Sequence, residues 1–103
     1  ESVSTMVFDE VDSGIGGAVS TAVGERLKKL GKNRQVLVVT HSPQVASLGV
    51  HHFLVKKKLV NNITSIDVIK IDGHDKTNEI ARMLSGKQIT NEAIEAAKKL
   101  IES

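Results

Sequence analysis

The spacing of apolar positions along this chain of 103 residues changes period several times, and each change marks an element. Val3 to Phe8 is a short apolar run bounded by acids, the form of a buried parallel strand rather than an alternating edge. Gly14, Gly16 and Gly17 break that run. Val19, Ala22, Val23, Leu27 and Leu30 then recur at helical spacing up to Gly31, a natural C-terminal stop. Arg26, Lys28 and Lys29 fall in the last turns, where cations complement the helix dipole. A second β-branched run extends from Gln35 to His41. Strand, helix and strand with short joins predict a βαβ unit with parallel strands and a right-handed crossover.

Ser42-Pro43 opens a short helix ending near Gly49, since Pro suits the first helical position. Val50 to Leu59 and Ile63 to Ile71 read as two strands, joined by Asn61-Asn62 in the left-handed conformation of a two-residue hairpin turn. Asp72-Gly73 ends the second strand. Asp75 is expected to cap a helix running through Leu84 and closed by Gly86, and Thr90 to cap a last helix. In that helix Ala93, Ile94, Ala97, Leu100 and Ile101 form one apolar stripe. The fold class is α/β. A single partial domain is expected over residues 1–103: βαβ plus short helix at 1–49, hairpin at 50–71, helices at 72–103. The entry into a strand almost at residue 1 suggests a piece cut from a longer protein.

Composition narrows the function classes. Hydrophobic content of 40% supports a real core. No apolar stretch approaches the ~20 residues that cross a bilayer, so no membrane contact is expected. The absence of cysteine fits a reducing compartment. A net charge of +2 does not by itself point to nucleic acid, and two Phe without Tyr or Trp make a base-stacking platform unlikely.

The chemistry gathers at the strand ends. Ligands of open parallel α/β sheets bind outside the carboxyl ends of the strands. There the first strand ends in Asp9-Glu10 and the second in Thr40-His41. If the strands are neighbours, two carboxylates and an imidazole converge in one crevice. Four apolar residues followed by Asp-Glu is the form of a Walker B element, in which the Asp holds Mg²⁺ and the Glu orients or deprotonates a water. An imidazole beside them can stabilise charge on a transferring phosphoryl group. Each part has a plain alternative: strands often end in acids, and a strand-end His is commonly structural. Lys56-Lys57-Lys58 reads as a solvated strand end, and the adjacent His51 and His52 point to opposite faces and read as structural. A phospho-acceptor receiver domain would share the order of acids, Thr40 and Lys56. It requires five parallel strands and an acceptor Asp on a middle strand, and neither is present here.

The stretch from Val7 to Gly17, VFDEVDSGIGG, and that from Val38 to Ala46, VVTHSPQVA, closely resemble the C-terminal ATPase lobe of the RecN family of bacterial DNA repair proteins. That family lies in the SMC-like branch of ABC-type ATPases with P-loop heads. Glu79 to Gly86, EIARMLSG, is similar to the family's stretch near its C-terminus. The resemblance implies ATP and Mg²⁺ as cofactors of a complete head, with Asp9 as the magnesium residue, Glu10 as the catalytic base and His41 as the γ-phosphate sensor. Asp12 to Gly17, including Ser13, Gly14 and Gly16, would be the D-loop that meets a partner across the nucleotide. SMC relatives usually carry Asp where Gly16 stands, so that residue's cross-interface role does not carry over. The implied partners are the N-terminal lobe of the same protein, a second head in a homodimer, and DNA. The implied location is the bacterial cytoplasm, at the nucleoid.

No G-x-x-x-x-G-K-[ST] phosphate loop and no LSGGE-like signature occur in the chain. The expectation is half of an ATP site, inactive alone, serving recombinational double-strand-break repair. The alternative is a non-catalytic assembly module whose exposed sheet edge or last two helices bind a partner. A sheet left open at its edge would also favour self-association of the fragment.

Overall fold

A computed structural model describes residues 4–102. The order is β1 (Thr5–Asp9), α1 (Gly17–Leu30), β2 (Gln35–Val39), α2 (Pro43–Ala46), β3 (His52–Val60), β4 (Ile63–Ile71), α3 (Gly73–Ser85) and α4 (Asn91–Glu102). The strands form two separate pairs, β1 with β2 and β3 with β4. β1 and β2 run parallel, from Thr5 opposite Gln35 to Asp9 opposite Val39. β3 and β4 are antiparallel, from His52 opposite Ile71 to Val60 opposite Ile63. The α/β class, the parallel pair, the hairpin and the two closing helices all match the pattern of apolar positions. Val3, expected to open β1, lies outside the described residues.

Several boundaries differ from the expected ones for local reasons. β2 stops at Val39, so Thr40 and His41 lie beyond it, with the Thr40 hydroxyl bonded to Asp12. α2 is a single turn, capped by the Ser42 hydroxyl that accepts from the Val45 N–H. α3 begins two residues before Asp75, at Gly73, with Asp72 at its N-cap. Asp75 therefore sits inside the first turn, where its charge still favours the helix dipole. Gly31 closes α1 in right-handed conformation, whereas Gly86 closes α3 with φ 83°. Thr90 caps α4 as expected, its hydroxyl accepting from the Ala93 N–H at 3.0 Å. Asn61 and Asn62 have φ 52° and 64°, the geometry of the tight hairpin turn.

The apolar core lies between α3 and α4. Ile80, Ala81, Ala93 and Ala97 are buried there, packed against Ala46, Met83, Ile94, Leu100 and Ile101. In the α4 stripe Ala93 and Ala97 are buried in this core, while Ile94, Leu100 and Ile101 are half-buried at its margin. α1 packs on α2 at Gly24, where a Cβ would lie 2.7 Å from Leu48 Cδ1 and 3.3 Å from Val45 Cα. A side chain there would require Leu48 to turn away and α2 to shift by a few tenths of an ångström. The sheets are covered unevenly. Met6, Phe8, Val36 and Val38 are half-buried, while Val7, Leu37 and Val39 on the opposite face are exposed. In the hairpin Phe53, Val55, Leu59, Ile66 and Val68 share one exposed face.

Candidate functional site at the parallel strand ends

β1 and β2 deliver their last residues to one edge, and the loop after β1 begins with an unusual backbone. Glu10 has φ 53°, the left-handed region that a side chain with a Cβ rarely occupies. Its N–H donates to the Val39 carbonyl at 2.7 Å, extending the parallel ladder by one bond. The Ser13 N–H then donates to the Glu10 carbonyl and the Ile15 N–H to that of Asp12, so the acidic turn is held by its own backbone. Gly14 takes φ 80° within it.

Asp12 is buried, with 5% of its surface exposed. Its carboxylate Oδ2 accepts the Thr40 hydroxyl at 2.5 Å, and the Thr40 oxygen accepts the Ser42 N–H at 2.9 Å. The carboxylate thereby joins the loop after β1 to the end of β2 and to the start of α2. Burying a charge without partners costs several kcal/mol, so this bond is a condition of the loop's conformation.

Between Thr40 and Ser42 stands His41. Its Nε2 lies 3.2 Å from Glu10 Oε1. The imidazole is 89% exposed and the Glu10 side chain 48%. A pair this open contributes at most about 1 kcal/mol to stability. The two groups face an open cavity of about 300 Å³, lined also by Asp12, Ser13, Gly14 and Gln44. The first turn of α1 reaches the same cavity through Gly17 and Ser20, and its N-cap, Gly16, provides no side-chain cap.

The structure therefore brings Glu10, His41, Asp12, Ser13 and Gly14 together. Asp9 and Gly16 do not line the cavity. Strand alternation places Asp9 with Val7 on the exposed face of β1, so the expected convergence of both carboxylates and the imidazole is met by Glu10 and His41 only. Among the described residues no group of three or more His, Asp or Glu side chains is placed to hold a metal. Asp9 and Glu10 fit Mg²⁺ only as the one or two carboxylates that such an ion takes when phosphates and waters complete its shell. Thr40, Ser42 and Gln44 are the participants that pattern reading did not assign. The Ser-Pro pair signalled the α2 cap, but nothing in the sequence marks a bond between residues 28 apart.

A second cavity of about 310 Å³ lies between the hairpin and α3, bordered by Leu54, Lys56, Ile71, Glu79 and Arg82. Arg82 makes two bonds to Glu79 there, which raise its pKa. At the hairpin root, burial first and then the Lys76 ammonium lower the pKa of His52. No described helix is long and apolar enough to cross a membrane.

No family model matches the chain. It is 49% identical over 102 residues to the DNA repair protein RecN of Xylella fastidiosa (strain 9a5c), covering 99% of this chain and 18% of that protein. Its identity to the RecN of Deinococcus radiodurans is 46% over 97 residues, and to that of Vibrio cholerae 43% over 97 residues. These alignments cover 94% of this chain and 17% and 18% of the relatives. The chain thus spans less than a fifth of the curated relatives it matches. A solved structure from work described as "Structural biochemistry of ATP-driven dimerization and DNA stimulated activation of SMC ATPases" superposes with a TM-score of 0.60. It is 18% identical, over 82% of this chain and 49% of that one, and establishes a shared fold.

Proposed function

We propose, for a chain that is a segment of a RecN-type DNA repair protein, that its strand-end cleft is one half of an ATP-hydrolysing site. The observation that carries this reading is the contact of Glu10 with His41 at the carboxyl ends of two parallel strands, open to a cavity. Glu10 would accept a proton from an attacking water, and the exposed His41, whose Nε2 lies 3.2 Å from it, would donate toward a phosphoryl oxygen through its other ring nitrogen. Asp9, which does not line this cavity, would hold Mg²⁺ only once the phosphates of a complete head bring the ion to it, where the ion neutralises charge developing on them. Ser13 and Gly14 border the cavity and would meet a partner head across the nucleotide. The phosphate loop must come from the rest of the protein, so this segment alone is expected not to turn over ATP. In a RecN-length protein the complete site would serve recombinational double-strand-break repair on DNA, with two heads closing on nucleotide in the bacterial cytoplasm.

Mg-ATP turnover by a full-length RecN-family protein carrying this segment tests the reading. Glu10→Gln is expected to lower kcat on the order of 10²- to 10⁴-fold with nucleotide binding retained. Unchanged turnover would make the acidic turn structural.

A second reading has its own observation. The exposed faces around Val7, Leu37 and Val39, and along Phe53, Val55, Ile66 and Val68, suit an assembly surface that also drives self-association of the isolated segment. It predicts normal turnover in Glu10→Gln and a concentration-dependent mass for the segment in light scattering.

A further inference from the structure

We infer that buried Asp12 and the Thr40 hydroxyl are positioning residues that set where His41 and Glu10 stand in the cleft. This rests on the half-site reading and deepens it. An imidazole that is 89% exposed and touches one half-exposed carboxylate has no local packing to hold it. Its position must be set by the backbone on either side. On one side is Thr40, on the other Ser42, and the Thr40 oxygen joins both by accepting the Ser42 N–H and donating to Asp12. This closes a tight turn around residue 41. Asp12 is the fixed end of that chain, because it is buried and its own loop is bonded back to Glu10 through the Ser13 N–H. The same carboxylate therefore positions both members of the pair: His41 through Thr40, and Glu10 through the turn at residues 10–13. Neither Asp12 nor Thr40 needs to touch nucleotide for this.

The experiment uses a full-length RecN-family protein carrying this segment, with Mg-ATP turnover measured per folded molecule, folding being followed by circular dichroism. Thr40→Val keeps the shape of the side chain and removes the bridge. It is expected to lower kcat on the order of 10- to 100-fold with KM for ATP little changed, as misplacement near 1 Å does at other reaction centres. Thr40→Ser restores the hydroxyl and is expected to return kcat to within about threefold of the parent, a rescue that a packing role of the Thr methyl would not give. Thr40→Val strands a buried carboxylate, so the double variant Asp12→Leu with Thr40→Val supplies a version without that charge, and it is expected to fold and remain slow. Parental kcat in either folded variant overturns the inference, as does a Thr40→Ser enzyme as slow as Thr40→Val. Glu10→Gln in the same assay separates the two levels. If it is inactive while Thr40→Val is fully active, the positioning role falls and the half-site stands. If it is as active as the parent, the half-site itself falls.

Discussion

The two halves of this chain bury different things. Between residues 5 and 47 the buried set includes three polar side chains, Asp12, Ser20 and Ser47, beside Leu27 and Val45. Between residues 52 and 102 it is wholly apolar, from Ile71 to Ala97. The first half also holds the strained Glu10 backbone and the chain of bonds from Asp12 to Ser42. The second is a regular ladder with a left-handed Asn-Asn turn and a capped helix pair. Stability in the second half comes from apolar packing, which is non-directional and forgiving of small changes. In the first, directional bonds hold a conformation that packing alone would not choose, and the reward is a pair of open polar groups at a cleft.

That contrast is broken most forcefully from the second half. Ile80 is fully buried at the centre of the α3–α4 core. Ile80→Ala removes its contacts and leaves a cavity, with an expected loss of about 2–5 kcal/mol. Urea unfolding is expected to show a lower midpoint at unchanged slope. Kinetics should be parental at temperatures where the variant stays folded. A change in KM with the fold intact would mean that the halves are coupled more closely than their packing indicates.

The first half responds in the opposite sense. Glu10 at φ 53° holds a conformation that costs a side-chain-bearing residue about 1–2 kcal/mol, part of which glycine would recover after its own entropy loss. Glu10→Gly is therefore expected to stabilise the segment by about 0.5–1 kcal/mol while abolishing the turnover proposed for the complete site. A destabilised Glu10→Gly would show that the carboxylate serves the fold, and the functional reading of the acidic turn would weaken.

How much of this was legible in the sequence follows the same division. Where local chemistry decides, pattern reading reached single residues: the Asn61-Asn62 turn, the Thr90 cap and the limits of β4 follow from backbone preferences and alternation. The two ends of the cleft were legible for the same reason, since Glu10 and His41 each terminate an apolar run on a parallel strand. Asp9 is not legible in this way, because adjacency to Glu10 in sequence does not place it in the cavity lining. Alternation along β1 leaves Asp9 on the exposed face with Val7, and only Glu10, just past the strand end, borders the cavity. The bond from Asp12 to Thr40 had no local signal at all. It exists because β1 and β2 pair in parallel, and only the register in three dimensions brings those residues together.

The smallest effect tests whether the glycine turn is shaped by the fold or left open for a partner. Gly16 is the N-cap of α1, in extended conformation with φ −74°, and a Cβ there would meet nothing within 4 Å. No backbone demand explains glycine at this position, unlike Gly24, where a Cβ would crowd Val45 and Leu48. Aspartate is a strong N-cap, and its side chain can accept from the uncapped N–H groups of the first turn. Gly16→Asp is thus expected to stabilise the segment by a few tenths of a kcal/mol, visible as a small rise in melting temperature. If the complete protein keeps its turnover as well, glycine at residue 16 is a matter of tolerance on both counts. If stability rises while turnover falls, the space above Gly16 is needed by whatever closes over the cleft, and the openness of the first half is functional rather than incidental.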